Sequence, residues 1–387
     1  MIPQTPKILN VDGAKFDRWL LFSFLALLSI GVVMVASASI PITERMQLPM
    51  FYFTYHQALY IAVGLGLFWL ATLLPIEEIQ RYAVILLIIS LLLLVVILIP
   101  GVTRIINGSI RWLFIGPISV QPSEIVKVAL IAYMASYMVR RSRQLHSNFM
   151  GFVIPMGVLS LVAFLLMLEP DFGAVVIVTA TVLGMLFLGG VQFNRFLALL
   201  PFVIMGLGVL TVSSSYRLQR LIAFRDPWAD QFDTGYQLVQ ALIAVGRGAW
   251  FGTGLGGSIQ KLLYLPESHS DFIFAVLAEE LGLVGALTVL GLYALFIFRG
   301  MQVGRRSHMR GLLFGSYLAY GITLLIGLQA AINIGVNIGL LPTKGLTLPF
   351  LSCGGSSMLI ACMAVGVLFR VDYEARETSK DSVLKDV

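Results

Sequence analysis

Apolar runs about 20 residues long recur along the chain and constrain its fold more than any other feature. Examples are WLLFSFLALLSIGVVMVASA (19–38), YAVILLIISLLLLVVILI (82–99) and FGAVVIVTATVLGMLFLGG (172–190). A helix of about 20 apolar residues crosses the roughly 30 Å hydrocarbon core of a bilayer. Because 58% of the 387 residues are hydrophobic and only 12% are charged, a water-soluble domain is excluded.

We therefore predict an all-α integral membrane protein, a polytopic bundle of ten transmembrane helices with one large loop on the outer side, which the family resemblance described below would make periplasmic. The predicted spans are 19–38, 56–74, 82–99, 124–139, 150–168, 171–190, 195–212, 271–298, 311–340 and 355–370. The predicted domain organisation is a cytoplasmic segment 1–18, a membrane domain 19–370 whose large loop covers about 213–270, and a cytoplasmic tail 371–387.

The distribution of Lys and Arg predicts the orientation, because positive charge is retained on the cytoplasmic side. With the N-terminus inside, sixteen Lys and Arg residues fall on the cytoplasmic side, against four in the short outer loops. Both termini are then predicted to be cytoplasmic. The net charge of +6 is mainly an orientation signal, so we predict no nucleic-acid partner.

The long connection 213–270 is predicted to be ordered, because it keeps many aromatic residues. Residues 237–247 place polar and apolar side chains on different faces of a helix, which predicts a short amphipathic helix at the membrane surface. The glycine-rich stretch GRGAWFGTGLGG (246–257) follows. It is consistent either with tight turns or with backbone N–H groups that approach a phosphate.

The stretch LPESHSDFIFAVLAEELG (265–282) places acidic residues at the start of an apolar helix. Ser270 or Asp271 can cap that helix, and Asp271 near the outer water boundary can also act as a general base. A cap does not explain Glu279, two turns deeper and about 80° around the helix. We interpret Glu279 as a residue that supports the site, with Glu280 as its companion.

Four other segments carry polar groups that need an explanation. Glu124 and Lys127 lie at i, i+3 and either neutralise each other or turn Lys127 toward an anionic ligand. Asp171 in LEPDFG is predicted to cap the next helix.

Lys344 is the basic residue of the connection before the last span, whose N-terminus at Ser356 offers N–H groups to an anion. The amides of Gln329, Asn333 and Asn337 are predicted to form interhelical hydrogen bonds.

Several chemistries are excluded by the absence of their motifs. The four histidines show no zinc-ligand spacing such as HExxH, and the sequence has no Walker loop and no serine-hydrolase arrangement. No protein-bound metal is predicted. An outward-facing site has no access to cytoplasmic ATP or nucleotide sugars, so the substrate is expected to arrive activated on a membrane carrier.

Four stretches resemble the SEDS family of bacterial cell-wall proteins, and most of all its members that act in division. They are GYQLVQALIAVGRGAWFGTGLGGSIQKLLYLPESHSDFIFAVLAEELG (235–282), LLPTKGLTLPFLSCGGSS (340–357), INGSIRWLFIGPISVQPSEIVK (106–127) and LEPDFGA (168–174). The resemblance extends through nearly the whole membrane region. It implies a ten-span inner-membrane glycosyltransferase that polymerises lipid II on the periplasmic face at the septum and releases undecaprenyl pyrophosphate.

The resemblance also implies roles for individual residues. The family's acid-base aspartate corresponds to Asp271, and functional importance is implied at Glu279, Lys344, Arg217, Arg247, Glu124 and Lys127. Implied partners are undecaprenyl-linked glycan, a class B penicillin-binding protein transpeptidase and the divisome regulatory subcomplex. No cofactor is predicted, apart from a divalent cation that can accompany the substrate pyrophosphate.

Two alternatives remain open from the residues alone. Polar groups at depth in a ten-span bundle would also suit a flippase that moves lipid II across the membrane. The second alternative is a non-catalytic scaffold for the transpeptidase, in which Asp271 only caps its helix.

Overall fold

The apolar runs form a helical bundle in the computed structural model, which describes residues 16–103, 111–115, 118–147, 150–190 and 193–385. The first eight helices are α1 Arg18–Arg45, α2 Tyr52–Leu73, α3 Ile76–Ile97, α4 Pro122–Arg140, α5 Ser142–Ser147, α6 Met150–Leu168, α7 Phe172–Leu188 and α8 Phe193–Val212. The remaining helices are α9 Ser215–Arg225, α10 Tyr236–Arg247, α11 Ile273–Met309, α12 Leu313–Asn337 and α13 Gly355–Lys385. The N-terminal segment 1–15 and parts of the motif 106–127 lie outside the described residues.

Each predicted span corresponds to one helix, which confirms the all-α membrane fold. Within the described residues, seven helices are long and apolar enough to cross a membrane, or up to eight if the bent pair α8 and α9 counts as one span. The shorter apolar α7 has 17 residues, and α4 carries Glu124 and Lys127. The count of ten spans therefore stays a prediction.

The helix α12 occupies the centre of the bundle. In α12, 72% of the most apolar segment is buried, against 17% in α2 and 22% in α3. It packs against α4, α7, α11 and α13, while α2 packs mainly against α13. A buried helix surrounded on several sides gives fixed positions to the polar side chains it carries, and α12 carries Gln329, Asn333 and Asn337.

Two features of the structure were not expected from the apolar pattern. Leu113–Ile115 (β1) and Ile118–Val120 (β2) form an antiparallel pair just before α4. The last helix, α13, continues through the predicted tail to Lys385 instead of ending near residue 370. Ion pairs explain the first turns of this extension, because Asp372 contacts Arg306 at 2.8 Å and Arg376 at 2.9 Å.

The start of α1 is fixed by the same ionic cluster. Asp17 caps α1 by accepting from the backbone N–H of Trp19 and Leu20, both at 3.1 Å. It also contacts Arg299 at 2.6 Å and Arg306 at 3.1 Å. Burial would raise the pKa of Asp17, but its hydrogen bonds and charge interactions with these arginines and with the Leu20 N–H hold it below the ordinary value. We call this cluster the terminal end of the bundle, because it joins the start of α1 to α11 and α13.

The long helix α11 is broken at Gly282, where φ is 68° and ψ is −166°. The glycine-rich stretch 246–257 fits into the break: the N–H groups of Thr253 and Gly254 donate to Glu279 O and Glu280 O, both at 3.0 Å. A Cβ on Gly252 would lie 2.1 Å from Glu280 O, which only glycine avoids. The tight-turn interpretation of this stretch is therefore confirmed, and these N–H groups face protein carbonyls instead of a phosphate.

Candidate active site

Asp271 lies two residues before α11, and its side chain is half-buried. Within the described residues, its carboxylate has no hydrogen-bond or ion-pair partner. The prediction that Ser270 or Asp271 caps α11 is wrong, because the helix has no such side-chain cap; instead Asn337 Oδ1 accepts from Ala275 N–H at 3.0 Å. The carboxylate of Asp271 is consequently free to accept a proton, or a hydrogen bond from a substrate hydroxyl.

The surroundings of Asp271 favour its protonated form. Burial raises the pKa of Asp271 to about 7, and the negative charges of Glu267 and Asp171 act in the same direction, while Arg111 and Arg220 oppose them. The carboxyl is enclosed by protein yet keeps a solvent-accessible side. A carboxylate whose pKa lies near neutrality is well suited to general-base catalysis at physiological pH.

Lys344 and Arg217 form a cationic pair around one aromatic ring. Lys344 Nζ lies 4.1 Å from the centre of the Phe172 ring, and the Arg217 guanidinium lies 5.6 Å from it. Arg217 Nε is buried without a hydrogen-bond partner among the described residues. Its Nη1 and Nη2 donate to Met167 Sδ and Ser213 Oγ, both at 3.4 Å. A guanidinium with one unsatisfied N–H, close to an ammonium, indicates a site that an anion would complete.

Arg220 and Arg111 add two further cations to this region. Arg220 Nη1 donates to Thr343 O at 3.4 Å, next to Lys344, and its guanidinium lies 4.6 Å from the Tyr216 ring centre. Arg111 Nε donates to Glu169 O at 3.2 Å and its Nη2 donates to Pro170 O. We call Arg111, Arg217, Arg220 and Lys344 the cationic cluster.

The cationic cluster shifts the protonation of its own lysine. Burial lowers the pKa of Lys344 to about 8; Arg220 and Arg217 lower it further, and Asp171 opposes them. Asp271 lies beside this segment, because a Cβ added to Gly345 would be 3.0 Å from Asp271 Oδ2. The structure therefore places a free carboxylate and a group of incompletely paired cations side by side.

Two acids of the LEPDFG motif border the same region. Asp171 caps α7 through Ala174 N–H at 3.2 Å, which confirms its predicted role. Glu169 is fully buried, and neither of its carboxyl oxygens has a hydrogen-bond partner in the part of the chain that the structure describes. Burial raises the pKa of Glu169 to about 8, helped by Asp171 and opposed by Arg111. The side chain is thus mostly neutral at pH 7 and adds little negative charge to the site.

Glu279 and Arg247, both predicted site residues, are paired with each other. Arg247 Nη1 donates to Glu279 Oε1 at 2.9 Å. Glu279 also accepts from the Ser258 hydroxyl and from the backbone N–H groups of Ile259 and Gln260, at 3.0 and 3.3 Å. This carboxylate holds the connection before α11 in place, and a direct role toward substrate stays a prediction.

Glu124 and Lys127 are also paired, at 2.8 Å, and Lys127 is only 3% exposed. Lys127 Nζ donates to Gln329 Oε1 at 3.2 Å, and Gln329 Nε2 donates to Thr347 O at 3.0 Å. Of the two interpretations left open by the sequence, these contacts favour mutual neutralisation. The pair links α4 through α12 to the segment that follows Lys344.

The Ser356 hydroxyl, at the start of α13, is engaged within the protein. It donates to Ser119 O at 2.7 Å and accepts from Gln121 N–H at 3.1 Å. Ser356 thereby fastens α13 to β2 and the entry of α4. Its predicted contact with an anion remains untested.

The described residues include no group of three or more His, Cys, Asp and Glu side chains that could hold a metal ion. Sequence reasoning did not single out Arg111 and Arg220 as site residues. Each is an isolated basic residue without a motif, so only the fold shows that both lie close enough to Asp271 to lower its pKa. The resemblance did include the segments 106–127 and 168–174, which border them.

These features define a polytopic membrane protein with an unpaired carboxylate beside a cationic cluster. Residues 18–377 match the model of the family described as cell cycle protein, which is named after FtsW, RodA and SpoVE. The chain therefore belongs to this family, the SEDS family that its motifs resemble.

Relatives match over nearly their full length. The chain is 50% identical over 366 residues to the "Probable peptidoglycan glycosyltransferase FtsW" of Hahella chejuensis, covering 95% of this chain and 92% of that protein. It is 50% identical over 378 residues to the protein of the same name from Legionella pneumophila, covering 96% of each.

Solved structures show the same fold. A chain of the structure reported as "Structural coordination of polymerization and crosslinking by a peptidoglycan synthase complex" is similar with a TM-score of 0.78 and 28% identity, over 93% of this chain and 98% of that one. The rod shape determining protein RodA of Thermus thermophilus is similar with a TM-score of 0.68 and 27% identity, over 92% and 96%.

Proposed function

We propose that this protein is a peptidoglycan glycosyltransferase that polymerises lipid II into glycan strands and releases undecaprenyl pyrophosphate. The observation that carries the proposal is the unpaired Asp271 carboxylate beside the cationic cluster. The names of the relatives support the same activity. A free base and an anion site are the two elements that transfer from a pyrophosphate-linked sugar requires.

In this mechanism Asp271 accepts the proton of the acceptor sugar's 4-hydroxyl as that oxygen attacks the anomeric carbon of the donor. The new glycosidic bond forms while the bond between the anomeric carbon and the pyrophosphate oxygen breaks. The electron pair leaves with undecaprenyl pyrophosphate. Asp271 then releases its proton through its solvent-accessible side.

The cationic cluster stabilises the leaving group in this mechanism. Negative charge on the pyrophosphate increases as the bond breaks, and preorganised cations lower the free energy of that state more than that of the bound substrate. Arg217, with its unpartnered Nε, and Lys344 are the groups best placed for this role. A divalent cation that arrives with the pyrophosphate would add to the same charge, as part of the substrate.

The proposed setting is the bacterial inner membrane at the division septum. Sixteen Lys and Arg residues on the predicted cytoplasmic side, against four in the short outer loops, support a terminal end that faces the cytoplasm. The opposite end of the bundle, which carries Asp271, would then face the periplasm. We propose that the chain acts with a class B penicillin-binding protein and the divisome regulatory subcomplex. The likeness to a chain of a peptidoglycan synthase complex supports a transpeptidase partner.

The experiment is reconstitution of the full chain with its transpeptidase partner and purified lipid II. Glycan strands and undecaprenyl pyrophosphate should appear together, with one pyrophosphate released per glycosidic bond. If vesicles loaded with lipid II show its transfer across the bilayer without polymer, the flippase alternative is correct. If neither activity appears with a folded, partner-bound chain, the scaffold alternative is correct.

A further inference from the structure

We propose that Asn333 is a positioning residue for glycosyl transfer, whose side-chain amide holds the Asp271 segment in register with the Lys344–Leu346 segment. This inference rests on the proposed function and adds a residue to it. It assigns to one buried amide the task of setting the distance between the base and the cationic cluster.

The contacts of Asn333 join the two segments directly. Its Nδ2 donates to Asp271 O at 2.8 Å and also donates to Leu346 O. The side chain is only 2% exposed, so water does not compete for either bond. A primary amide nitrogen carries two N–H donors, and here each one has a carbonyl from a different side of the site.

Asn337, one turn further along α12, completes the arrangement on the Asp271 side. Its Nδ2 donates to Asp271 O at 3.1 Å and to Asn333 O at 2.9 Å. Its Oδ1 accepts from Ala275 N–H and so takes the place of a helix cap. No bond from Asn337 to the Lys344–Leu346 segment is present among the described residues. Asn333 is therefore the one of the two that ties both segments together.

The spacing that this amide sets is narrow. Gly345 lies so close to the Asp271 carboxylate that a Cβ there would be 3.0 Å from Oδ2, tighter than ordinary van der Waals contact. Misplacement of a reacting group by about 1 Å can lower a rate by about 10²-fold. Because α12 is the most enclosed of the long apolar helices, its amides provide a fixed reference for both segments.

The chemistry of asparagine suits this position. Leucine branches at the same carbon but has no donor, so it would leave the buried Leu346 carbonyl unpaired and would remove one of the two donors to the Asp271 carbonyl. Aspartate has the same shape but would turn an oxygen toward the carbonyls of Asp271 and Leu346. Only a neutral side chain with two donors satisfies both carbonyls without adding charge beside the base.

The test compares Asn333→Leu with wild type in the lipid II polymerisation assay with the transpeptidase partner. We expect kcat to fall about 30- to 100-fold, while KM changes by less than about threefold, because the substrate-binding cations remain. Thr323→Val is the matched control: Thr323 is fully buried on the same helix, and its hydroxyl has no hydrogen-bond partner among the described residues. Its activity should equal that of wild type.

The pH profile of kcat/KM separates positioning from loss of folded protein. The acid limb is set by Asp271, whose charged neighbours are Glu267, Asp171, Arg111 and Arg220. If the Asp271 segment moves more freely, water reaches the carboxyl and lowers its pKa. The acid limb should then move to lower pH. A variant that merely folds less well would scale the profile without moving its midpoint. Such a result would overturn the proposal.

A double-mutant cycle keeps the proposal testable if Asn333→Leu folds poorly. Asn333→Ser retains a small polar side chain that is too short to reach both carbonyls, and it is combined with Gly345→Ala. If both changes act on the same spacing, their effects on kcat should be strongly non-additive; additive effects would refute the positioning role. An inactive wild type would refute the proposed function itself, whereas an active wild type with an equally active Asn333→Leu variant would refute only this inference.

Discussion

Glu280 and Lys261 form a buried ion pair, with Lys261 Nζ 2.7 Å from Glu280 Oε1. Ser37 of α1 donates to the same carboxylate at 2.7 Å, so the pair joins α1, α11 and the connection before α11. The side chains of Lys261 and Glu280 are 5% and 0% exposed. Glu280, the predicted companion of Glu279, is thus a structural residue that attaches the connection before α11 to the bundle.

Removal of one partner should be strongly destabilising. Lys261→Met leaves the Glu280 carboxylate buried without its cation, at a cost on the order of 3–5 kcal/mol. Unfolding followed in detergent micelles should show this as a lower midpoint. The double variant Lys261→Met/Glu280→Gln, which removes both charges, should recover much of the loss.

An exposed ion pair gives the matched control. Arg81 and Glu78 are 3.9 Å apart, and the Arg81 side chain is 71% exposed. Arg81→Met should change the stability by less than about 1 kcal/mol, because solvent screens such pairs. Equal effects at Lys261 and Arg81 would contradict the assignment of the Glu280 pair to the core.

The glycine-rich connection should depend on Glu279. Glu279→Ala removes the acceptor for Arg247, Ser258 and two backbone N–H groups, and hydrogen bonds to charged groups contribute about 1.5–3 kcal/mol each. We expect proteolytic cleavage within residues 246–265 to become at least about tenfold faster.

Arg247→Met provides the comparison, because the Arg247 side chain is 39% exposed and supplies only one of the bonds to Glu279. Its cleavage rate should lie close to that of wild type. If Glu279→Ala were as resistant as wild type, the carboxylate would not be what holds this segment.

The rate should show a bell-shaped pH dependence. Asp271 acts as a base only when deprotonated, so kcat/KM should fall below its pKa of about 7. Lys344 assists the leaving group only when protonated, so kcat/KM should fall above its pKa of about 8. In Lys344→Arg the alkaline limb should disappear, since arginine stays charged, while the acid limb stays in place. An unchanged alkaline limb in that variant would assign it to another group.

The sequence was sufficient for the helices and for the central carboxylate. Apolar runs predicted the long helices because the cost of burying backbone in lipid forces each run to be helical. Asp271 could be singled out because a charged residue at the edge of a span needs an explanation. That Asp271 does not cap the helix could not be predicted, because the bond that replaces the cap joins Ala275 N–H to Asn337, 62 residues away.

The pairing of the other charged residues was beyond the sequence for the same reason. Arg247 and Glu279 are 32 residues apart, and Arg111 donates to the backbone carbonyl of Glu169, 58 residues away, so no local spacing connects them. The asparagines of α12 were predicted as interhelical hydrogen-bonding groups. Which carbonyls they hold depends on how α12 packs against the Asp271 and Lys344 segments.

The most direct test of the central claim is the initial rate of lipid II polymerisation by Asp271→Asn, with the transpeptidase partner present. Asn cannot accept the proton, so the rate should fall about 10²- to 10⁴-fold, while the variant elutes and melts like wild type. Asp233→Asn, an exposed aspartate in the same connection, should keep the wild-type rate. A folded Asp271→Asn variant that polymerises at more than about a tenth of the wild-type rate would contradict the assignment of Asp271 as the base.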